Sequence, residues 1–442
     1  MSPGGYFALA ALLTFVSAIL LRTHRDFAAL ITVTLTWLVT PILVGTDRLY
    51  FDGRTLFRSG LFPLLSRIVR GSSCRLEIDN IERVEVATVR TLRRGGTVRY
   101  RYRAEISGDG ERFVFVSGGR KFRRMIQLLL PRIPDHKLDA RACELRDYLC
   151  HPRELREQVT RLGIAAPSVL EQADETARNR IERPLGSEQT PRDTDSVRAQ
   201  SLRLVANNLR VAGRLRESAE AFRRALHLAP RDASLLYEYA RLLRSQASAF
   251  SDARLLTRAC AALKLALSRA PDDARLAERI GESFFEFGQP DRAARALRRA
   301  IEIDQNSFPA YVNLAEIALA EGKLAHVIHH YRDAARVAPD KACARLAQRE
   351  ADYYTRLNDD DNYLNSEVRR MTWFEGAGRI QQLTARVSFA ALLVALAGSF
   401  LNQFLAGFGW ALASSSIIGW SGAIVLRKIL ARRRDGVSGE GA

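Results

Sequence analysis

The sequence predicts a multidomain membrane protein: transmembrane α-helices at both ends, a small α+β domain, and an all-α repeat solenoid between them. Three observations predict it. Four long segments without a charged residue fall in two terminal pairs, a run near residue 100 alternates apolar and charged side chains, and the chain from about 199 to 339 repeats itself, at a spacing of 34 in its later units. With 442 residues, 47% of them hydrophobic, the chain is long enough for two or three domains and excludes a wholly disordered protein. The net charge of +18 suits an anionic partner. The cysteines Cys74, Cys143, Cys150, Cys260 and Cys343 are odd in number, widely spaced and without a C-x-x-C pair, which suits free thiols in a reducing compartment.

The first apolar pair, residues 6–44, combines 6–21 with Phe27–Val44; the second, residues 387–426, combines Val387–Leu405 with Phe408–Leu426. Each segment approaches or reaches the ~17–25 residues that span a bilayer as a helix. Residues 6–21 lack the basic flank of a signal peptide and are followed at once by a second apolar segment, so a helical hairpin is expected. The connection in the second pair is expected around Gly407 and Gly409. Arg48, Arg54 and Arg58 follow the first pair, Arg379 and Arg386 precede the second, and Arg427, Lys428 and Arg432–Arg434 open a basic tail, 427–442. By the positive-inside bias, the central region and both termini are expected in the cytoplasm.

Residues 45–133 read as strands followed by a helix. Val98, Tyr100, Tyr102, Ala104 and Ile106 alternate with Arg99, Arg101, Arg103, Glu105 and Ser107, the period of a half-buried strand. Ser107-Gly108-Asp109-Gly110 supplies turn residues before a second arm at Arg112–Val116. Earlier strands are expected at Arg48–Phe51, Thr55–Arg58 and Ile81–Thr91, and Arg120–Leu130 has one apolar helical face. This order, from an apolar hairpin through DRLYFDGRTLFRSGLF to a meander closed by a helix, resembles the bacterial pleckstrin-homology-like (PH-like) membrane domains. That resemblance implies a bacterial inner membrane location. Between Arg48 and Arg132 stand 19 Lys/Arg against 8 Asp/Glu, an excess of 11 positive charges. Arg93, Arg94, Arg99, Arg101, Arg103, Arg120, Lys121, Arg123 and Arg124 are the candidates for docking on anionic lipid, where each juxtamembrane cation gains roughly 1 kcal/mol. No recognition helix or RNP-like aromatic motif points to nucleic acid.

Residues 134–198 combine helical stretches at Leu138–Leu149 and Arg153–Leu162 with a flexible linker marked by Pro184, Gly186 and Pro191. From 199 to 357 the chain resembles the tetratricopeptide (TPR) family. Tyr311, Leu314, Ala315, Gly322, Tyr331, Ala334 and Pro339 occupy the family's signature positions, and Ile280, Gly281, Phe284, Gly288, Ala293, Leu297 and Ala300 occupy them one unit earlier. Earlier units end at Pro230 and Pro271, giving four units and a capping helix from Lys341; about seven extra residues near Ser248–Leu255 lengthen a turn or extend helices. The resemblance implies a groove for a protein or peptide. Some TPR domains clamp a C-terminal carboxylate, and the matching positions here are Arg203, Asn207, Arg275 and Arg279, with Glu238 standing where an amide is usual.

No catalytic motif is present: Gly118-Gly119-Arg120-Lys121 lacks the spacing of a phosphate loop, and neither G-x-S-x-G nor H-E-x-x-H occurs. His326, His329 and His330 read as surface histidines and Asp359-Asp360-Asp361 as a solvated loop, so no metal or cofactor is expected. The expectation is a non-enzymatic, membrane-anchored scaffold that binds protein partners at the cytoplasmic face. The alternative is a regulatory or chaperone subunit of a membrane-embedded enzyme or secretion complex.

Overall fold

The computed structural model describes residues 10, 13–14, 16–17, 19–21, 23–46, 48–60, 75–92, 98–117, 120–165 and 193–430. These divide into two compact units. One comprises residues 1–50, 57–75 and 356–442, and the other 51–56 and 76–355.

In the first unit the described residues between 10 and 21 are helical, and α1 (Asp26–Thr46) follows. The buried Ser17 hydroxyl donates to the Ala29 carbonyl at 2.6 Å, holding the two segments together. The long α14 (Asp361–Leu401) and α15 (Gln403–Leu430) form a second hairpin. At 41 residues α14 is about 60 Å long, and its first half fills a stretch, 358–386, that the sequence reading left unassigned. Asp360 is solvent-exposed, as expected, but the break it forms is a single residue between two helices rather than a loop. Its carboxylate caps α14, accepting from the amides of Asn362 (2.9 Å) and Tyr363 (3.1 Å).

The α14–α15 turn is also tighter than expected. It lies at Asn402, whose side chain accepts from the Phe404 amide at 2.9 Å, while Gly407 and Gly409 are inside α15. Gly409 instead serves helix packing, because a Cβ there would meet the Ala395 backbone nitrogen at 2.5 Å. The hairpin keeps Ala391, Ala395 and Ala413 buried and turns Phe389, Phe400, Phe404 and Trp410 outward. Small side chains face inward and large apolar ones outward, the inverse of a helix pair packed for water. By length and composition, two described helices could cross a membrane: Asp361–Phe400 and Gln403–Arg427; the apolar part of α1, Asp26–Ile42, is shorter.

The strands form two three-stranded sheets: β1 (Arg48–Phe51), β2 (Thr55–Ser59) and β3 (Arg75–Glu77) in one, β4 (Arg83–Leu92), β5 (Val98–Gly108) and β6 (Glu111–Val116) in the other. Only β3 was unforeseen; three residues are too few to show a period. The second sheet is an antiparallel meander that pairs Val84 with Ile106 and Ala104 with Phe115. Its β5–β6 turn uses two residues at positive φ, Asp109 (49°) and Gly110 (73°), as a two-residue hairpin requires. α2 (Arg120–Leu129) lays Phe122 against Phe115, with ring centroids 5.6 Å apart, and buries Ile126 and Leu129.

α3 (Ala140–Tyr148) and α4 (Pro152–Arg161) lead to the repeats. α4 buries Leu155 and Val159 among Leu202, Val205 and Leu209 of the first repeat helix, so it closes one end of the repeat core. Four helix pairs follow: α5 (Asp193–Val211) with α6 (Leu215–Leu228), α7 (Ala233–Phe250) with α8 (Ala253–Arg269), α9 (Ala274–Glu286) with α10 (Pro290–Ile303), and α11 (Phe308–Ala320) with α12 (Leu324–Arg336). α13 (Lys341–Asp359) caps the array through buried Ala342, Cys343, Ala347 and Tyr354. The residues added in the second pair extend its helices: α7 and α8 run 18 and 17 residues, against 13 and 14 for α9 and α10. Ala293, Ala300, Ala315 and Ala334 are fully buried where helices meet.

Candidate functional site

The site is the inner face of the repeats, built by the first helix of each pair. Residues three and four apart on a helix share a face, so α5 presents Arg203, Asn207 and Arg210 together, and α7 presents Glu238 and Arg241. The side chains that meet them come from the same chain, from the strand region and α3.

Glu238 organises one end. Arg203 grips its carboxylate with two hydrogen bonds of 2.7 Å, from Nε to Oε2 and from Nη2 to Oε1. Asn207 Nδ2 donates to Oε2 at 2.7 Å, and the Tyr148 hydroxyl, at the end of α3, donates to Oε1 at 2.7 Å. Four donors therefore compensate the carboxylate that, in an empty groove, would repel an acidic ligand. One turn further along, Glu144 of α3 accepts from Arg210 Nη1 at 3.0 Å and from Arg241 Nε at 2.7 Å. Burial would raise the Glu144 pKa, but the two guanidiniums hold it well below the usual carboxylate range. Arg241 and Arg141 also converge on Glu286.

The contact continues along the repeats. Glu282 accepts from the Ala140 amide at 2.9 Å, at the first turn of α3, where Asp139 caps Ala142 at 2.6 Å and reaches the Val86 amide at 2.9 Å. Arg83 pairs with Glu316 at 2.5 Å, Lys137 with Asp340 at 2.9 Å, and Arg349 with Glu82 at 2.9 Å. The Tyr102 hydroxyl donates to the Val211 carbonyl at 2.8 Å. Beside it Gly213 sits at φ +82°, so close to β5 that a Cβ would lie 2.0 Å from the Val98 carbonyl oxygen.

All four groove candidates are thus engaged within the chain. Arg203 and Asn207 meet on Glu238; Arg275 pairs with Asp135; Arg279 lies over the Tyr237 ring, 4.9 Å from its centroid. Around Glu238 the groove pictured as open to a partner is occupied by the chain's own α3, while between the β4–β5 sheet and α9 and α11 a cavity of about 590 Å³ remains, lined by Arg83, Glu105, Arg141, Glu282 and Glu316. Sequence reasoning missed Glu144, Tyr148, Arg210, Arg241 and Glu286. Arg210 and Arg241 lie three residues beyond Asn207 and Glu238, a spacing that could have marked them, but nothing local marks Glu144 as their counterion.

The lipid candidates divide between two elements. Arg99, Arg101 and Arg103 are exposed on alternate residues of β5, with Arg103 within 3.5 Å of Glu105, and Lys121 and Arg124 are exposed on α2, where Arg123 is half-buried. Arg93, Arg94 and the Arg120 side chain lie outside the described residues.

Among the described residues two groups approach metal-ligand spacing: His329, His330 and Asp333, and His136, Asp340 and Cys343. In the first, Arg336 already pairs with Asp333. In the second, Lys137 supplies a cation at Asp340, and burial pushes the Cys343 thiol up to about 12. The described cysteines are free thiols.

No family model matches the chain, and no curated protein matches it. Among solved structures, it is similar to a crystal structure of MamA at 17% identity over 33% of this chain and 80% of that one, with a TM-score of 0.26. It is also similar to the crystal structure of YrrB, a TPR protein with an unusual peptide-binding site, at 18% identity over 36% and 76%, with a TM-score of 0.28. A further MamA structure matches at 16% identity over 41% and 96%, with a TM-score of 0.28.

Proposed function

We propose that the chain is a membrane-anchored, non-catalytic scaffold, in which a PH-like strand region and a TPR-like repeat form one recognition block that binds protein partners at the cytoplasmic face of a bacterial inner membrane. The observation that carries this reading is the docking of α3 and the strand region on the inner face of the repeats. Buried ion pairs such as Glu144 with Arg210 and Arg241 fix that face in place, so the block offers partners a pre-organised surface, and its outer side is left for them. Anchoring is supported by the α14–α15 hairpin, whose large apolar side chains face outward while glycine and alanine line the helix contact. Close approach through small residues is how helices associate where lipid offers no hydrophobic drive between them.

Two experiments test the reading. Alkaline extraction of membranes should leave the full chain in the pellet, and reporters fused at Asp135, Ser187 and Gly436 should all read cytoplasmic. Affinity purification in mild detergent should then recover defined partners. Release into the alkaline supernatant, or a periplasmic signal at Ser187, defeats the anchoring; a bare preparation across growth conditions defeats the scaffold.

A further inference from the structure

Charge is divided unevenly between the two helices of each pair. The first helices, α5, α7, α9 and α11, carry 7 Lys/Arg and 7 Asp/Glu, whereas the second helices, α6, α8, α10 and α12, carry 13 and 5. The excess concentrates in the middle of the array: α8 has Arg254, Arg258, Lys264 and Arg269 with no acidic residue, and α10 has Arg292, Arg295, Arg298 and Arg299. Each of the other three second helices has an exposed arginine with a carboxylate one turn away: Arg223 with Glu220, Arg299 with Glu302 and Arg336 with Asp333. Arg254, Arg258, Lys264 and Arg269 are exposed, and no described carboxylate lies within ion-pair distance of them.

Along α8 the positions 254, 258, 261, 265 and 269 fall at spacings of three and four and so form one stripe. It reads Arg, Arg, Ala, Leu, Arg. Arg254 and Arg269 are about 22 Å apart along the helix. Between them the exposed Ala261 leaves room for a close neighbour, and Leu265, 42% exposed, offers an apolar contact. The lengthening of the second pair extends this helix.

We infer that the outer stripe of α8, extended by Arg295 and Arg298 of α10, is a docking surface for an acidic amphipathic helix of a partner protein. The inference rests on the scaffold reading and supplies its partner class. Carboxylates on successive turns of the partner would meet Arg254, Arg258 and Arg269 in charge-assisted pairs, and an apolar residue between them would cover Leu265. The cations steer encounter, and Ala261 and Leu265 set the register. A nucleic acid would use the charges but neither the alanine nor the leucine.

The test uses the full chain in mild detergent and a fluorescent 20-residue synthetic helix with glutamate at every fourth position and leucine on the adjoining stripe. Binding is read by anisotropy at 150 mM salt. R254E/R258E/R269E should weaken it at least tenfold. R99E/R101E/R124E, which makes the same change in net charge on the strand region, should weaken it less than twofold, and both variants should melt as wild type does. Should the α8 reversal prevent folding, the Arg→Gln triple variant takes its place with at least a fivefold loss expected. Equal losses in the two triple variants, or no binding by wild type, overturn the inference. So does preferential loss of binding to anionic vesicles or duplex DNA run in parallel. If wild type and the α8 variant recover the same cellular partners in equal yield, the inference fails and the scaffold stands; if wild type recovers none, the scaffold itself fails.

Discussion

The two faces of the repeat array use the same residue type in opposite ways. On the inner face Arg210 and Arg241 are 5% exposed and share the Glu144 carboxylate. On the outer face Arg254 and Arg258 are solvated and have no counterion among the described residues. A buried pair costs desolvation that its attraction only partly offsets, so such pairs serve register more than raw stability, yet removing one partner is severe. An exposed cation costs little and contributes little until a partner arrives. Burial, more than charge, decides which arginines hold the molecule together and which remain for recognition.

The largest expected effect separates these roles. Glu144→Ala leaves Arg210 buried without a carboxylate and Arg241 with Glu286 alone, and should destabilise the full chain by about 3–5 kcal/mol, read by chemical denaturation in detergent. Arg258→Ala should stay within about 0.5 kcal/mol. Equal costs would abolish the distinction between the faces.

Intermediate effects probe the packing beneath both. Ala300→Leu, at a fully buried helix contact, should cost about 1–3 kcal/mol by overpacking. Gly213→Ala should cost a similar amount, through positive φ and its contact with the Val98 carbonyl, and should loosen the strand region more than the α9–α10 pair, as hydrogen exchange would report.

Acid and base should act on the inner face with opposite signs. Burial pushes Glu278 up to about 7 despite the Ser307 hydroxyl and the nearby Arg275 and Arg279, with Glu282 adding to the rise. Its contribution to stability is therefore complete below its unfolded value near 4.5 and is lost as pH climbs through about 7. Glu144 is depressed, so its contribution is present above about 4.5 and fades as pH falls below it. In melting curves across pH, Glu278→Gln should gain on wild type by a few degrees from pH 5 to 8. Glu144→Gln should trail at neutral pH and close the gap in acid. Parallel curves would mean that neither carboxylate is held as described.

What was legible in the sequence is what repeats or alternates. The 34-residue spacing located the helix pairs, and the period of two along Val98–Ile106 located β5 within a residue or two. The turn at Asn402 was not legible, because an uncharged run through Gly407 and Gly409 offers no break and the cap is a single amide side chain. The first half of α14 was missed for lack of one clear apolar stripe. The docking of α3 on the repeats was beyond a single sequence. Glu144 and Arg210 are 66 residues apart, and Lys137 and Asp340 about 200, with no local pattern joining either pair.

The docking of α3 on the repeats carries the whole account, and hydrogen–deuterium exchange of the full chain in detergent tests it most directly. The amides of Ala140–Tyr148 should exchange as slowly as those of α5 and α7, and Glu144→Gln should speed all three helices together. Fast exchange of Ala140–Tyr148 while α5 and α7 stay protected would mean that the helix sits off the groove, and that Arg203, Asn207 and Glu238 face a partner after all.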